Sequence, residues 1–191
     1  MGLDLGQAAD FTTLAVAERV EGEVVSYDLR HLERLPLGTT YPAIAKRVSA
    51  LMATREVASN AELVVDATGV GAPVLDLLRD TGLSPREVTI TGGDTVSEDG
   101  DSYRVPKRDL VSTVSVLLQS GRLRIAACLP EAETLVKELL NFQVKITNTA
   151  NNTYGAWREG THDDLVLAVA LACWYGNTYG QGFHLAVVSR W

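Results

Sequence analysis

Apolar residues recur along this chain with two different periods, and the points where one gives way to the other divide it into elements. Leu3 to Leu5 and Phe11 to Ala17 are short apolar runs around a Gly and Ala turn, which predicts two antiparallel strands. Glu23 to Leu29 alternates as a third after the Glu21-Gly22 turn. Tyr41, Ile44, Ala45, Val48, Leu51 and Met52 then fall on one helical face, with Thr39 or Thr40 available as the cap and Lys46, Arg47 and Arg55 on the wet side. Glu62 to Asp66 reads as a buried strand ending in a carboxylate, and Ala67 to Gly71 as a glycine turn. The following helix has Pro73 near its start and Val74, Leu77 and Leu78 inward.

Arg86 to Thr91 alternates as another strand, whereas Gly92 to Ser102 is polar and acidic and is expected to be a mobile surface loop. From Pro106 a stripe of Leu110, Val111, Val114, Leu117 and Leu118 predicts a helix that stops at Gly121. Arg122 to Ala126 gives a brief extended segment, and Glu131 to Leu140 a helix buried through Leu135, Val136, Leu139 and Leu140. Phe142 to Thr147 and Thr153 to Trp157 flank the turn-rich Asn148 to Asn152, the pattern of a long β-hairpin. Leu165 to Tyr175 is apolar on every side and predicts a buried helix capped by Thr161 or Asp163. Phe183 to Trp191 is apolar enough for a docked strand or the start of a further element. This order of elements predicts an α/β fold: three antiparallel strands and then parallel ones in a mixed sheet, helices on both faces and an inserted hairpin. Neither a repeat nor a linker interrupts residues 1–191, so a single domain is expected.

The formal charge of −7, from 24 acids against 17 Lys and Arg, excludes nucleic-acid binding through a generally basic surface. Any DNA contact has to come from a local patch. Cys128 and Cys173 lie in apolar settings and read as reduced packing residues of an intracellular protein. No stretch has the length and apolarity of a membrane span or a signal peptide.

Three acidic positions change the picture. Asp4 lies inside the first strand, Asp66 at the end of the fourth, and Asp163-Asp164 at the entry to the last helix. Each has a structural reading, as an edge acid or a helix cap. If the first and fourth strands are neighbours, however, Asp4 and Asp66 approach one another where a doubly wound sheet opens a crevice, and the helix brings the third acid. Converging carboxylates repel and raise one another's pKa, a penalty that divalent cations remove. Oxygen ligands without clustered His or Cys select Mg²⁺ or Mn²⁺, and two such ions can carry out in-line phosphodiester cleavage. Lys107 and Arg108 stand in the first turn of the helix after Pro106, against its dipole, which calls for a bound phosphate, nearby acids or full solvation.

Three stretches taken together carry a family resemblance. They are Gly2-Leu3-Asp4-Leu5-Gly6 with the following Asp10-Phe11-Thr12 and strand, Val64-Val65-Asp66-Ala67-Thr68-Gly69-Val70-Gly71, and Glu159-Gly160-Thr161-His162-Asp163-Asp164-Leu165-Val166-Leu167-Ala168. In this order they resemble the nuclease domain of the large terminase subunit of tailed bacteriophages, which has a ribonuclease H-like fold and cuts concatemeric viral DNA during packaging. The resemblance implies Asp4, Asp66 and Asp163 as catalytic metal ligands for two Mg²⁺ or Mn²⁺ ions, with Asp164 as a further ligand or orienting acid. His162 would touch metal or substrate or make a hydrogen bond at the helix entry, and Asp10 is an accessory candidate. The partners it implies are double-stranded DNA, a packaging ATPase domain, a small terminase subunit and a portal, in the host cytoplasm and without a membrane. No Walker-type Gly-x-x-x-x-Gly-Lys-Ser/Thr stretch occurs, which fits an excised nuclease domain or a genuinely short protein. From placement, Arg104, Lys107, Arg108, Lys145 and Arg158 are the candidate phosphate contacts, while Tyr154 and Trp157 either stack on DNA or pack on their own sheet. A Holliday-junction-resolvase-like nuclease, an actin- or sugar-kinase-like ATP-binding domain and a non-catalytic binding module are the rival readings.

Overall fold

The computed structural model of the chain describes residues 1–6, 10–58, 60–69, 72–149, with backbone alone from 142, and 163–180. Strands β1 (Gly2–Asp4), β2 (Thr13–Val20) and β3 (Ser26–Arg34) form the antiparallel meander that the alternation predicts. The third strand continues past Leu29 because the β2–β3 register shifts between Val16 and Ala17, leaving Arg30 as the extra residue of a bulge. That shift moves the inward phase from Tyr27 and Leu29 to Leu32, so a strict period of two stops short of the strand's end.

Helix α1 (Tyr41–Met52) and strand β4 (Leu63–Asp66) follow, then α2 (Ala72–Asp80), β5 (Pro85–Thr91), β6 (Ser97–Asp99) and β7 (Ser102–Pro106). Helix α3 (Lys107–Gln119), strand β8 (Leu123–Ile125) and helices α4 (Ala132–Thr149) and α5 (Asp164–Tyr179) complete the described chain. The strands make one mixed sheet in the order β6-β7-β5-β4-β1-β2-β3-β8. β1, β4, β5 and β7 run parallel, as do β3 and β8, and β6 pairs antiparallel with β7.

Alternate positions along the strands feed two separate cores. Leu3, Leu14, Leu63 and Val65 pack with α1 and α2, whereas Ala15, Val64, Val88 and Val105 pack with α3, α4 and α5. Every residue of α5 from Asp164 to Tyr175 except the half-buried Leu167 is buried, as its unbroken apolar run predicts. Each Leu or Val so covered contributes on the order of 1.5–3 kcal/mol. Among the described residues, no helix is long and apolar enough to cross a membrane.

Several expectations need correction. The stretch from Gly92 to Ser102 is not loop throughout, because it contains β6 and leads into β7, a full member of the sheet. Tyr103 and Val105 supply the reason: both point into the core, and the Tyr103 ring meets Trp174 of α5 edge-on at 5.9 Å. Neither Thr39 nor Thr40 caps α1, since Thr39 Oγ1 donates to the Pro36 carbonyl and Thr40, at the cap position, makes no side-chain capping bond. In α2 the fully buried pair is Leu75 and Leu78, with Val74 and Leu77 half covered. Cys173 is buried but Cys128 is exposed, in the turn between β8 and α4. The first arm of the expected hairpin, Phe142 to Thr147, is helical backbone continuing α4, and the second arm lies outside the described residues. Side-chain pattern favours extension there, but a helix already hydrogen-bonded through Leu140 propagates at little cost.

Helix α5 comes so close to β1 that only glycine fits at position 2, where a Cβ would stand 1.9 Å from the Ala168 carbonyl oxygen and 3.1 Å from the Ala172 nitrogen. Gly2→Ala is therefore expected to cost at least the ~1–3 kcal/mol of ordinary overpacking, because the obstruction is backbone and cannot rotate away. Thermal or urea denaturation measures this, and a wild-type midpoint would show that α5 does not seat on β1.

Candidate functional site

Parallel pairing of β1 with β4 sets Gly2 opposite Val64 and Leu3 opposite Val65. The next step along the same register brings Asp4 beside Asp66, each the last residue of its strand and each pointing to the α5 face by alternation with Leu3 and Val65. On the other side of β1, Asp4 pairs with Thr13 of β2, whose hydroxyl donates to the Asp164 carbonyl at 2.8 Å. That bond anchors the first turn of α5 beside the ends of β1 and β4, where the sheet changes from parallel to antiparallel neighbours.

Asp4, Asp66 and Asp164 are all buried, at 8%, 8% and 6% exposure. Burial pushes the Asp4 carboxyl well above the usual carboxylate range, and the neighbouring charges of Asp66, Asp164 and Asp163 raise it further, with Lys107 pulling it down. Four carboxylates from three separate elements thus act on one spot. Asp66 is fixed by the turn that follows it: the Thr68 N–H donates to its Oδ1 at 2.8 Å, Thr68 Oγ1 accepts from the Ile90 N–H, and Gly69 takes a φ of +72° that suits glycine.

Asp163 occupies the N-cap position of α5, yet its side chain makes no capping bond, and its carbonyl accepts the first helical N–H, from Leu167. Its carboxylate instead meets Lys107 Nζ at 3.4 Å. Lys107 therefore sits at the carboxylate cluster, and acids are what offset its place against the α3 dipole. Arg108, one residue on, turns away to the Asp94 carboxylate and carbonyl at 2.5 and 2.6 Å. Arg104 is exposed on β7, and Asp10 is exposed. The Lys145 side chain, Tyr154, Trp157, Arg158 and His162 lie outside the described residues.

The residue that reading by sequence missed is Glu138. The apolar stripe of α4 points to Val136 and Leu140, but these are 44% and 59% exposed, and the helix buries Leu135, Glu138 and Leu139 instead. The spacing of Glu138 from Leu135 was the available signal. Its carboxylate accepts from the Leu165 and Val166 N–H groups at 3.1 and 3.3 Å and is salt-bridged to Arg34 of β3. Burial raises its pKa to about 7 against the opposing pull of Arg34 and the two N–H groups.

The donor set at the cluster is oxygen only, which suits a hard divalent cation in kind. Among the described residues no three acidic, His or Cys side chains already stand at ligating distance from a common point. Like charges in a desolvated spot keep such spacing.

Comparison with known proteins bears on fold and family. A search of curated proteins gives no match. Among solved structures, the large terminase nuclease of thermophilic phage G20c with bound zinc is similar at 24% identity and a TM-score of 0.54, over 92% of this chain and 78% of that one. The human cytomegalovirus terminase nuclease domain is similar at 15% identity and a TM-score of 0.56, over 91% and 80%. Its Mn-soaked form gives 16% identity and a TM-score of 0.53, over 91% and 81%. These likenesses place the mixed sheet and its helices in the ribonuclease H-like fold. The profile of the terminase RNaseH-like domain matches residues 1–174, and the chain belongs to that family.

Proposed function

We propose that this domain is a metal-dependent endonuclease that hydrolyses phosphodiester bonds of double-stranded DNA, with little regard to sequence, when viral genome concatemers are cut during packaging. The observation that carries the reading is the convergence of Asp4, Asp66, Asp163 and Asp164 on one desolvated spot at the strand ends. Such crowding by itself gives a fold nothing, since burying acids beside one another costs stability. Asp4 and Asp66 would hold Mg²⁺ or Mn²⁺ from the sheet, and Asp163 with Asp164 from α5. Two such ions supply, when bound, a clamp on the attacking and departing oxygens of an in-line displacement. The buried walls of β1, β4 and α5 hold the carboxylates at the strand ends, and bound cations would draw them in from the spacing that their repulsion keeps. Lys107 brings a cation to the same place, where it offsets part of the acidic field and can meet the phosphate being cut.

Outlying phosphate contacts fall to Arg104 and Arg108 near α3, and to Lys145 and Arg158. A single nuclease domain spanning residues 1–191 would work beside a packaging ATPase domain, a small terminase subunit and a portal in the host cytoplasm. Family membership supports the packaging role.

Incubation of plasmid DNA with the protein and Mn²⁺ or Mg²⁺ is expected to give nicked and linear products that a chelator prevents. Asp4→Asn and Asp66→Asn should each lower cleavage by at least ~10²-fold, in line with removal of a group that acts in the transition state, while both remain folded. Activity in Asp4→Asn near the wild-type level, or a strict preference for four-way junctions, would overturn the reading.

Crowding also sets a pH response. Between the ordinary carboxylate value of 4.5 and about 7 for Glu138, and over the corresponding window for Asp4, the folded chain keeps protons that the unfolded chain has released. Stability of the metal-free protein is thus expected to fall as pH rises through that window. Asp4→Asn should flatten the fall and raise the unfolding midpoint at neutral pH. An unaltered slope would mean that Asp4 does not bear the repulsion.

Arg104→Ala and Arg108→Ala are expected to weaken DNA binding and to reduce the slope of log K against log salt by ~0.9 for each phosphate that is no longer neutralised. Binding titrations at several salt concentrations measure this, and unchanged slopes remove these residues from the interface.

A further inference from the structure

Helix α5 carries Asp164 in its first turn and Asp163 at its N-cap, and the Asp163 side chain makes no capping bond. The acceptor comes from another helix. Glu138 of α4 takes the Leu165 and Val166 N–H groups, and its second oxygen is held by Arg34. Arg34 is itself fixed, with its guanidinium carbon 4.7 Å above the Phe11 ring and its backbone paired with Thr13 in the β2–β3 ladder. Thr13 is the residue that donates to the Asp164 carbonyl. The first turn of α5 is therefore gripped twice, by Thr13 at a carbonyl and by Glu138 at two N–H groups, through one connected set of residues.

A buried ion pair such as Arg34–Glu138 gives little net stability over an apolar pair of the same volume, and a Leu at 138 would complete the stripe of Leu135 and Leu139. What the carboxylate does that Leu cannot is accept from the end of α5, where a negative group also complements the helix dipole. We infer that Glu138 is a positioning residue of the carboxylate centre: from α4, and steadied by Arg34, it fixes the first turn of α5 and so the placement of Asp163 and Asp164 relative to Asp4 and Asp66. The inference rests on the metal-dependent nuclease reading and adds to it a residue remote in sequence from all three motifs.

The test compares wild type with Glu138→Gln, Glu138→Leu and Glu138→Asp in Mn²⁺ titrations followed by calorimetry and by metal-induced thermal shift, together with kcat and KM for DNA cleavage. Glu138→Gln keeps an oxygen acceptor and is expected to stay within about threefold of wild type in every readout. Glu138→Leu should weaken Mn²⁺ binding by ~10-fold or more, the scale seen when a partner of a metal ligand is removed, and should lower kcat with KM for DNA unchanged. If Glu138→Leu does not fold, Glu138→Asp decides: it retains the charge toward Arg34, draws the acceptor back by one methylene, and is expected to show the same weakened Mn²⁺ binding in a folded protein. Wild-type Mn²⁺ binding and kcat in a folded Glu138→Leu or in Glu138→Asp would overturn the inference, as would a Glu138→Gln as impaired as Glu138→Leu. Failure of the wild-type protein itself to bind Mn²⁺ and cut DNA would instead overturn the nuclease reading, which keeps the two outcomes distinct.

Discussion

The parallel pairing of β1 with β4 is the constraint on which the rest of the structure depends. It places the last residues of two strands, both aspartates, side by side on the face that α5 covers. β1 has an antiparallel neighbour on its other side, so the sheet changes direction at its centre, the place where open α/β sheets leave a crevice at the strand ends. The acids could not stay buried there as mere surface residues. Burial first, and then their mutual field, hold the Asp4 carboxyl well above the ordinary carboxylate range.

Helix α5 is the second half of that arrangement. Because it is apolar all round, it can lie against β1 with nothing larger than the hydrogen of Gly2 between the two backbones. The Asp163 side chain at its N-cap makes no capping bond, and the structure meets that need from outside through Thr13 and Glu138. Asp163, relieved of the capping task, turns its carboxylate to Lys107. A helix end that borrows its hydrogen-bond partners leaves its own acids available for chemistry.

Lys107 and Arg108 illustrate how adjacent residues part company. Both oppose the dipole at the start of α3, and each is compensated by an acid, but Lys107 turns inward to Asp163 and Arg108 outward to Asp94. Arg104 of β7 and Arg108 of α3, on either side of the junction between the two elements, are both exposed. Lys107 belongs instead with the carboxylates.

Much of the fold was legible in the sequence, because periods of two and 3.6 report directly which side of an element is buried. The meander, α1, β4, α3 and the buried α5 all follow from that pattern, and the short apolar run around Asp4 and the one ending in Asp66 marked two acids in unusual settings. Where a period breaks, the pattern falls silent: the bulge at Arg30 hid the end of β3, and a polar surround hid β7 until Tyr103 found Trp174. Local propensity also favoured extension at Phe142, where the backbone prolongs α4. Pattern alone thus gave most of the elements, the buried faces of the most regular ones, and one acid inside a strand with others at a strand end and a helix entry. Only the tertiary structure decided that β1 and β4 run parallel in the register that joins Asp4 to Asp66, that Lys107 rather than Arg108 turns to the cluster, and that Glu138 closes the end of α5. Each of these is a contact between residues far apart along the chain, and a one-dimensional pattern carries burial but not the identity of the partner.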